Sequence, residues 1–169
     1  VPAEQNPLKA NPSKIPDEFR LKLLQASLNE IADPRIEIWD GELKRPGLSY
    51  MKDSLKELSE KHLGELVLIV GNEVFRELPK WKDPKTVLTL ANVAVVQRDK
   101  EPLQIKTILE QCGITDAANN FPLEEPVYYL KSSHWIKTFQ INALPYSATE
   151  IRENLTKAWK TGNLEKSPQ

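Results

Sequence analysis

Five consecutive apolar residues, Leu66-Val67-Leu68-Ile69-Val70, run straight into Gly71. A stretch that is apolar on both faces reads as a central strand covered from above and below, the signature of a parallel sheet. Val93-Ala94-Val95-Val96, ending at Gln97-Arg98, reads the same way, and Asp83-Pro84 opens a short helix through Ala91 between the two. Buried strands separated by helices imply right-handed crossovers. The expected fold is therefore α/β, a doubly wound parallel sheet with helices on both faces.

The other elements follow from local signals. After Pro2, Pro7 and Pro12, Pro16 stands at a helix start, and Phe19, Leu23, Leu24, Leu28 and Ile31 keep helical spacing until Asp33-Pro34. Ile36 to Trp39 is expected as a short strand. Ser49 is expected to cap a helix that carries Met51, Leu55, Leu58 and His62 on one face and ends at Gly64. Ile105, Ile108, Leu109 and Cys112 mark another helix, closed by Gly113. Residues 114 to 126 read as loop, and Val127–Leu130 and Ile136–Ile141 as further strands. Residues 1–158 are expected to form one domain, followed by a polar tail at 159–169.

Charge and cysteine content narrow the function. The chain has 169 residues, with 23 basic against 24 acidic side chains and a net charge of -1. That balance argues against nonspecific affinity for nucleic acid or an anionic membrane. No apolar run is long enough to span a bilayer and no secretory leader is read, so a cytoplasmic protein is expected. The single Cys112 excludes an internal disulfide and a cysteine metal cage, and is expected as a small buried residue. His62 and His134 lack metal-ligand spacing, so no protein metal site and no catalytic histidine is expected. No nucleophile–base pair is identifiable, and no other catalytic side chain. Because the chain opens on Val1-Pro2-Ala3 without an initiator methionine, it is expected to be a processed or truncated piece.

Ligands of doubly wound sheets bind beyond the carboxyl ends of the strands, where Gly71, Arg98 and Ser147 fall. Ser147 and Glu150 have capping-box spacing at a helix expected to start near Thr149. The N–H groups of that first turn, with Arg152 one turn in, could hold phosphate or simply form a capped helix end. Gly71-Asn72-Glu73 would let a ligand approach the backbone or make a tight turn. Trp81, among Lys80 and Lys82, could stack a heteroaromatic ring or cover a core edge. Leu43 to Tyr50 is a rigid basic loop that could be an anion site or a solvated turn.

Taken in order, these segments resemble the bacterial nicotinate mononucleotide adenylyltransferases, of the HxGH nucleotidylyltransferase superfamily. The matching residues are Val1-Pro2-Ala3 with Asn6-Pro7-Leu8-Lys9, Arg20 to Leu24, Glu42 to Tyr50, Leu68 to Glu73, Leu78 to Trp81, Val95 to Arg98, and Tyr146 to Arg152. The resemblance implies transfer of AMP from ATP to nicotinate mononucleotide, with Mg2+, in NAD biosynthesis. It implies ATP binding by Ser147, Thr149, Arg152 and Arg98, and nicotinate-nucleotide binding by Trp81, Gly71, Asn72, Tyr50 and Lys9.

The chain departs from that family in several places. The two histidines of its HxGH segment lie outside this chain. Leu8 stands in place of a histidine, Met51 of a threonine, and Glu73 of an aspartate. The alternative implied is a degenerate, non-catalytic homologue serving as a binding or scaffold module. With strands apparently lacking at its start, the chain is expected to form a homo-oligomer or to pair with another chain.

Overall fold

A computed structural model describes residues 2, 3, 7, 8, 15–61, 64–98, 101–115, 118–120, 127–142, 150, 151, 153, 154, 156 and 157. Helices α1 (Asp17–Ile31), α2 (Gly41–Lys44) and α3 (Met51–Lys61) precede strand β1 (Val67–Gly71). Then come α4 (Asn72–Arg76), a 3-10 turn (Leu78–Lys80), α5 (Pro84–Leu90), β2 (Asn92–Gln97) and α6 (Ile105–Gln111). Strands β3 (Ala118–Asn120), β4 (Val127–Tyr129) and β5 (Trp135–Gln140) complete one five-stranded sheet, ordered β1-β2-β5-β4-β3.

The α/β class holds, with a sheet that is mixed. β1, β2 and β5 run parallel, in a register that aligns Val70 with Val95 and Val95 with Thr138. β4 and β3 add antiparallel pairs at the far edge. β1, β2 and β5 succeed one another in one direction, and the helices that connect them pack on the sheet. Phe75 of α4, Leu88 of α5 and Ile105, Ile108 and Leu109 of α6 accordingly meet Val93, Val95 and Ile136 in one cluster. A second cluster joins Leu55 of α3 to Val87 and Ala91, with Leu66 and Leu68 packed against it. Cys112 is a buried residue of the first cluster, and burial alone pushes its thiol pKa up.

Three expectations need correction. Ile36 to Trp39 forms no strand, and residues 118–120, read as loop, pair with β4. Asn119 has poor strand propensity, but a paired neighbour overrides so weak a preference. β1, expected at the centre of the sheet, pairs only with β2 among the described residues and leaves Ile69 69% exposed. α3 opens where the carbonyl of Tyr50 accepts from the N–H groups of Asp53 and Ser54, at 3.0 and 3.3 Å. α1 forms where proline and spacing place it, yet buries none of its residues. No described helix is long and apolar enough to cross a membrane.

α5 shows how local chemistry sets a boundary. Asp83 takes a left-handed backbone (φ 54°) that short polar side chains tolerate, and Pro84 supplies the first helical position. Its carboxylate accepts from the Thr86 N–H at 3.3 Å and the Thr86 hydroxyl at 2.7 Å. These hydrogen bonds hold the Asp83 carboxyl below the usual carboxylate range.

Two stability predictions follow from this packing. Ile136 is fully buried where the cluster meets the sheet, so Ile136→Ala should lower unfolding free energy by about 3 kcal/mol in urea titration. Asp83, whose folded pKa is depressed, contributes stability above the unfolded carboxylate pKa and loses it as pH falls. Wild type should therefore melt above Asp83→Asn at neutral pH, with the gap closing below about pH 4. Melting curves across that range read it directly.

Candidate functional site

The segment 39–61 builds one wall of a cavity. Gly41 is needed because the Trp39 ring lies against it: a Cβ there would sit 2.2 Å from a ring carbon. Arg45 and Lys61 flank the same ring, 5.9 and 5.8 Å from its centroid, where cation–π attraction favours them. Pro46 and Gly47 (φ +91°) then turn the chain into α3. On α3, the buried Ser54 hydroxyl donates to Oε1 of Glu42 at 2.5 Å and accepts from Nη2 of Arg45 at 2.6 Å. That relay fixes α2 against α3 and sets Tyr50 and Met51 at the start of the helix.

The opposite wall comes from β1 and the chain that follows it. The 3-10 turn ends with the Trp81 N–H bonded to the Leu78 carbonyl at 3.0 Å, and Trp81 leaves in extended conformation. Its ring packs against both hydrophobic clusters. It also lines a cavity of about 460 Å³ along the edge of β1 away from β2, which is unpaired among the described residues. Leu68, Ile69 and Val70 of β1, Val74, Glu42, Ser49, Tyr50 and Met51 line the same space. Lys80 and Lys82 also border it, Lys80 paired with Glu77 at 2.7 Å.

The cavity therefore unites Tyr50 and Trp81 of the residues expected in the site, together with Leu8 and Met51 at two positions of departure. Gly71 and Asn72 are not in its wall. Gly71 ends β1 facing open space, and Asn72 is buried at the start of α4. Arg98 is exposed just past β2, and Glu73 is exposed on α4. The ends of β1, β2 and β5 lie side by side, since Gly71 pairs with Val96 and Gln97 with Gln140. Arg98 and the chain after β5 thus leave the sheet at its carboxyl edge. Lys9, Ser147, Thr149 and Arg152 lie outside the described residues, while positions 150 and 151 are helical. His134 is half-buried in the turn before β5, outside the cavity wall, and His62 lies outside the described residues.

Glu42 is the lining residue that sequence reasoning missed. It stands among Asp40, Lys44 and Arg45, a run of charge that reads as a solvated surface, yet it is only 4% exposed. Nothing short of the tertiary contact with Ser54 would reveal it. Among the described residues, no group of three or more His, Cys, Asp or Glu side chains could hold a metal ion.

Comparison with known proteins points in one direction. No protein-family model matches the chain. A protein of Aquifex aeolicus named probable nicotinate-nucleotide adenylyltransferase is 36% identical over 112 residues, covering 66% of this chain and 65% of that protein. A Roseiflexus protein of the same name is 32% identical over 110 residues, covering 65% and 54%. One from Dictyoglomus thermophilum is 29% identical over 152 residues, covering 85% and 69%. The chain thus spans less than two thirds of the length of the first two relatives.

The Trp39–Gly41 contact gives the wall its own test. Gly41→Ala places a methyl group inside the Trp39 ring, so the ring or α2 must move. Overpacking of this kind costs roughly 1–3 kcal/mol. The expected result is a lower urea midpoint with an altered tryptophan emission spectrum.

Proposed function

We propose that this chain, a homologue of the nicotinate-nucleotide adenylyltransferases, binds nicotinate mononucleotide in the cavity beside Trp81 and serves adenylyl transfer from ATP. One observation carries the reading: a large flat ring, held rigid by two core clusters, forms a wall of a mostly apolar cavity bordered by lysines. A pyridine ring would stack on Trp81, and its ribose phosphate would reach the rim where Lys80 and Lys82 stand. The relatives' names supply the substrate class.

The transfer needs no side-chain nucleophile. An oxygen of the mononucleotide phosphate attacks the α-phosphorus of ATP, the new P–O–P bond forms, and pyrophosphate leaves. The protein's part is to position the reactants and to offset developing negative charge. Ser147, Thr149 and Arg152 are proposed to bind the ATP phosphates and Arg98 to border the adenosine. Gly71, Asn72 and Lys9 are proposed to lie beside the mononucleotide. Mg2+ is proposed to come with the ATP phosphates. A cytoplasmic location accords with this activity, and pairing with a further copy or another chain remains part of the reading.

A second reading, a binding module without catalysis, has one observation in its favour. Leu8 and Met51 make part of the cavity wall apolar. Two assays on the native protein separate the readings. Calorimetry should detect nicotinate mononucleotide binding, and pyrophosphate release should require both ATP and the mononucleotide. Binding without release would establish the module, and absence of both would refute the site.

Trp81 makes the proposal specific. Trp81→Ala should weaken mononucleotide binding by roughly tenfold, while Trp81→Phe, which keeps an aromatic face, should lose only a few-fold. Both variants should melt below wild type, because the ring also packs against the core. Unchanged affinity in Trp81→Ala would make the ring a core edge and nothing more.

A further inference from the structure

Glu42 presents a physical problem that the function above does not use. A carboxylate only 4% exposed should have a cationic partner, because removing an unpaired charge from water is costly. Among the described residues Glu42 has no ion pair. Oε1 accepts from Ser54, and Arg45 reaches it only through that hydroxyl. Glu42 lines the cavity that holds Trp81, while the lysines stand at Lys80 and Lys82, with Lys80 engaged by Glu77. The cavity therefore combines an aromatic face, a single buried anion and two rim cations.

We propose that Glu42 makes the cavity selective for a positively charged aromatic ring, so that it recognises the pyridinium charge of its nucleotide and not only the ring's shape. This rests on the reading of the cavity as a pyridine-nucleotide site. A pyridinium ring stacked on Trp81 brings the positive charge that Glu42 lacks, and the phosphate takes the rim lysines. Because Glu42 itself is sheltered from water, that attraction is screened less than at an open surface, and the ring's charge adds to affinity. Ser54 then acts as a positioning residue: its hydroxyl occupies Oε1 and holds the carboxylate at the wall.

The experiment compares nicotinate mononucleotide with its 1,4-dihydro form, which keeps the phosphate and the ring substituent but has a neutral ring. In the native protein, calorimetry should show the pyridinium form binding at least tenfold tighter. Glu42→Gln should reduce that ratio by at least fivefold, through weaker binding of the charged form. Ser54→Ala, which keeps the carboxylate, should retain more than half of the ratio. A ratio unchanged in Glu42→Gln, or lost equally in both variants, would overturn the proposal. Should Glu42→Gln fail to fold by its melting curve, the wild-type ratio decides alone, and a value below threefold overturns it. If neither form binds wild type at millimolar concentration, the pyridine-nucleotide reading itself fails and takes this inference with it. Binding of both forms alike removes only the inference.

Discussion

Trp81 is the contact on which the two halves of the structure depend. One cluster ties α4, α5 and α6 to the sheet, the other ties α3 to α5, and this one ring packs against both. It can do so because the 3-10 turn Leu78–Lys80 stops the helical path and delivers it in extended conformation. A ring clamped in this way loses little further freedom when a ligand stacks on it, which lowers the entropic cost of binding. The two uses weighed for Trp81, core edge and ring platform, are therefore compatible. The first would prepare the second.

The sheet adds its own constraint. Leu68 and Val70 of β1 pack against the hydrophobic clusters. Val67 and Ile69 point the other way and stay exposed, and α1 carries Phe19, Leu23 and Ile31 exposed as well. Exposed apolar positions concentrated on one strand and one helix differ from the scattered single residues of an ordinary surface. The cavity shares this border, since Leu68, Ile69 and Val70 are consecutive and all three line it. Consecutive strand residues point to opposite faces, so only the open edge of a strand can present all three to one space.

Much of this was legible in the residues, and the failures have physical causes. β1 and β2 were readable because unbroken apolar runs have few alternatives, and α5 because Asp83-Pro84 is strong punctuation. Gly113, with φ +73°, closes α6 where its sequence position suggested. Ile36 to Trp39 failed because Trp39 lies against Gly41 and Ile36 stays exposed, with no paired strand beside them among the described residues. The edge position of β1 could not be read at all, since an apolar run records hydrophobicity and not the number of neighbours. Of the cavity's lining, Trp81 was readable as an aromatic among cations, and Tyr50 as the end of a rigid basic loop. Glu42 was not, because burial of a charged residue is decided by contacts distant in sequence.

The cavity's composition also bears on what kind of catalysis it could support. A phosphoryl-transfer site needs exact placement of two charged reactants more than it needs a reactive side chain. The wall around Trp81 is suited to placement. Its aromatic face is fixed by the core, its carboxylate by the Ser54–Arg45 relay, and Tyr50 by the start of α3. Among the described residues its wall presents no array of donors aimed at a transferring phosphorus, and Ser147, Thr149 and Arg152, the expected donors, lie outside those residues. The cavity and the chain that leaves β5 belong to separate elements, one on the β1 side of the sheet and one starting at Ile141. The distance between those elements is spanned by β2, whose buried Val93 and Val95 couple both strands into one rigid ladder. On this arrangement a change in packing beneath β2 would alter the approach of the two reactants without touching either of them.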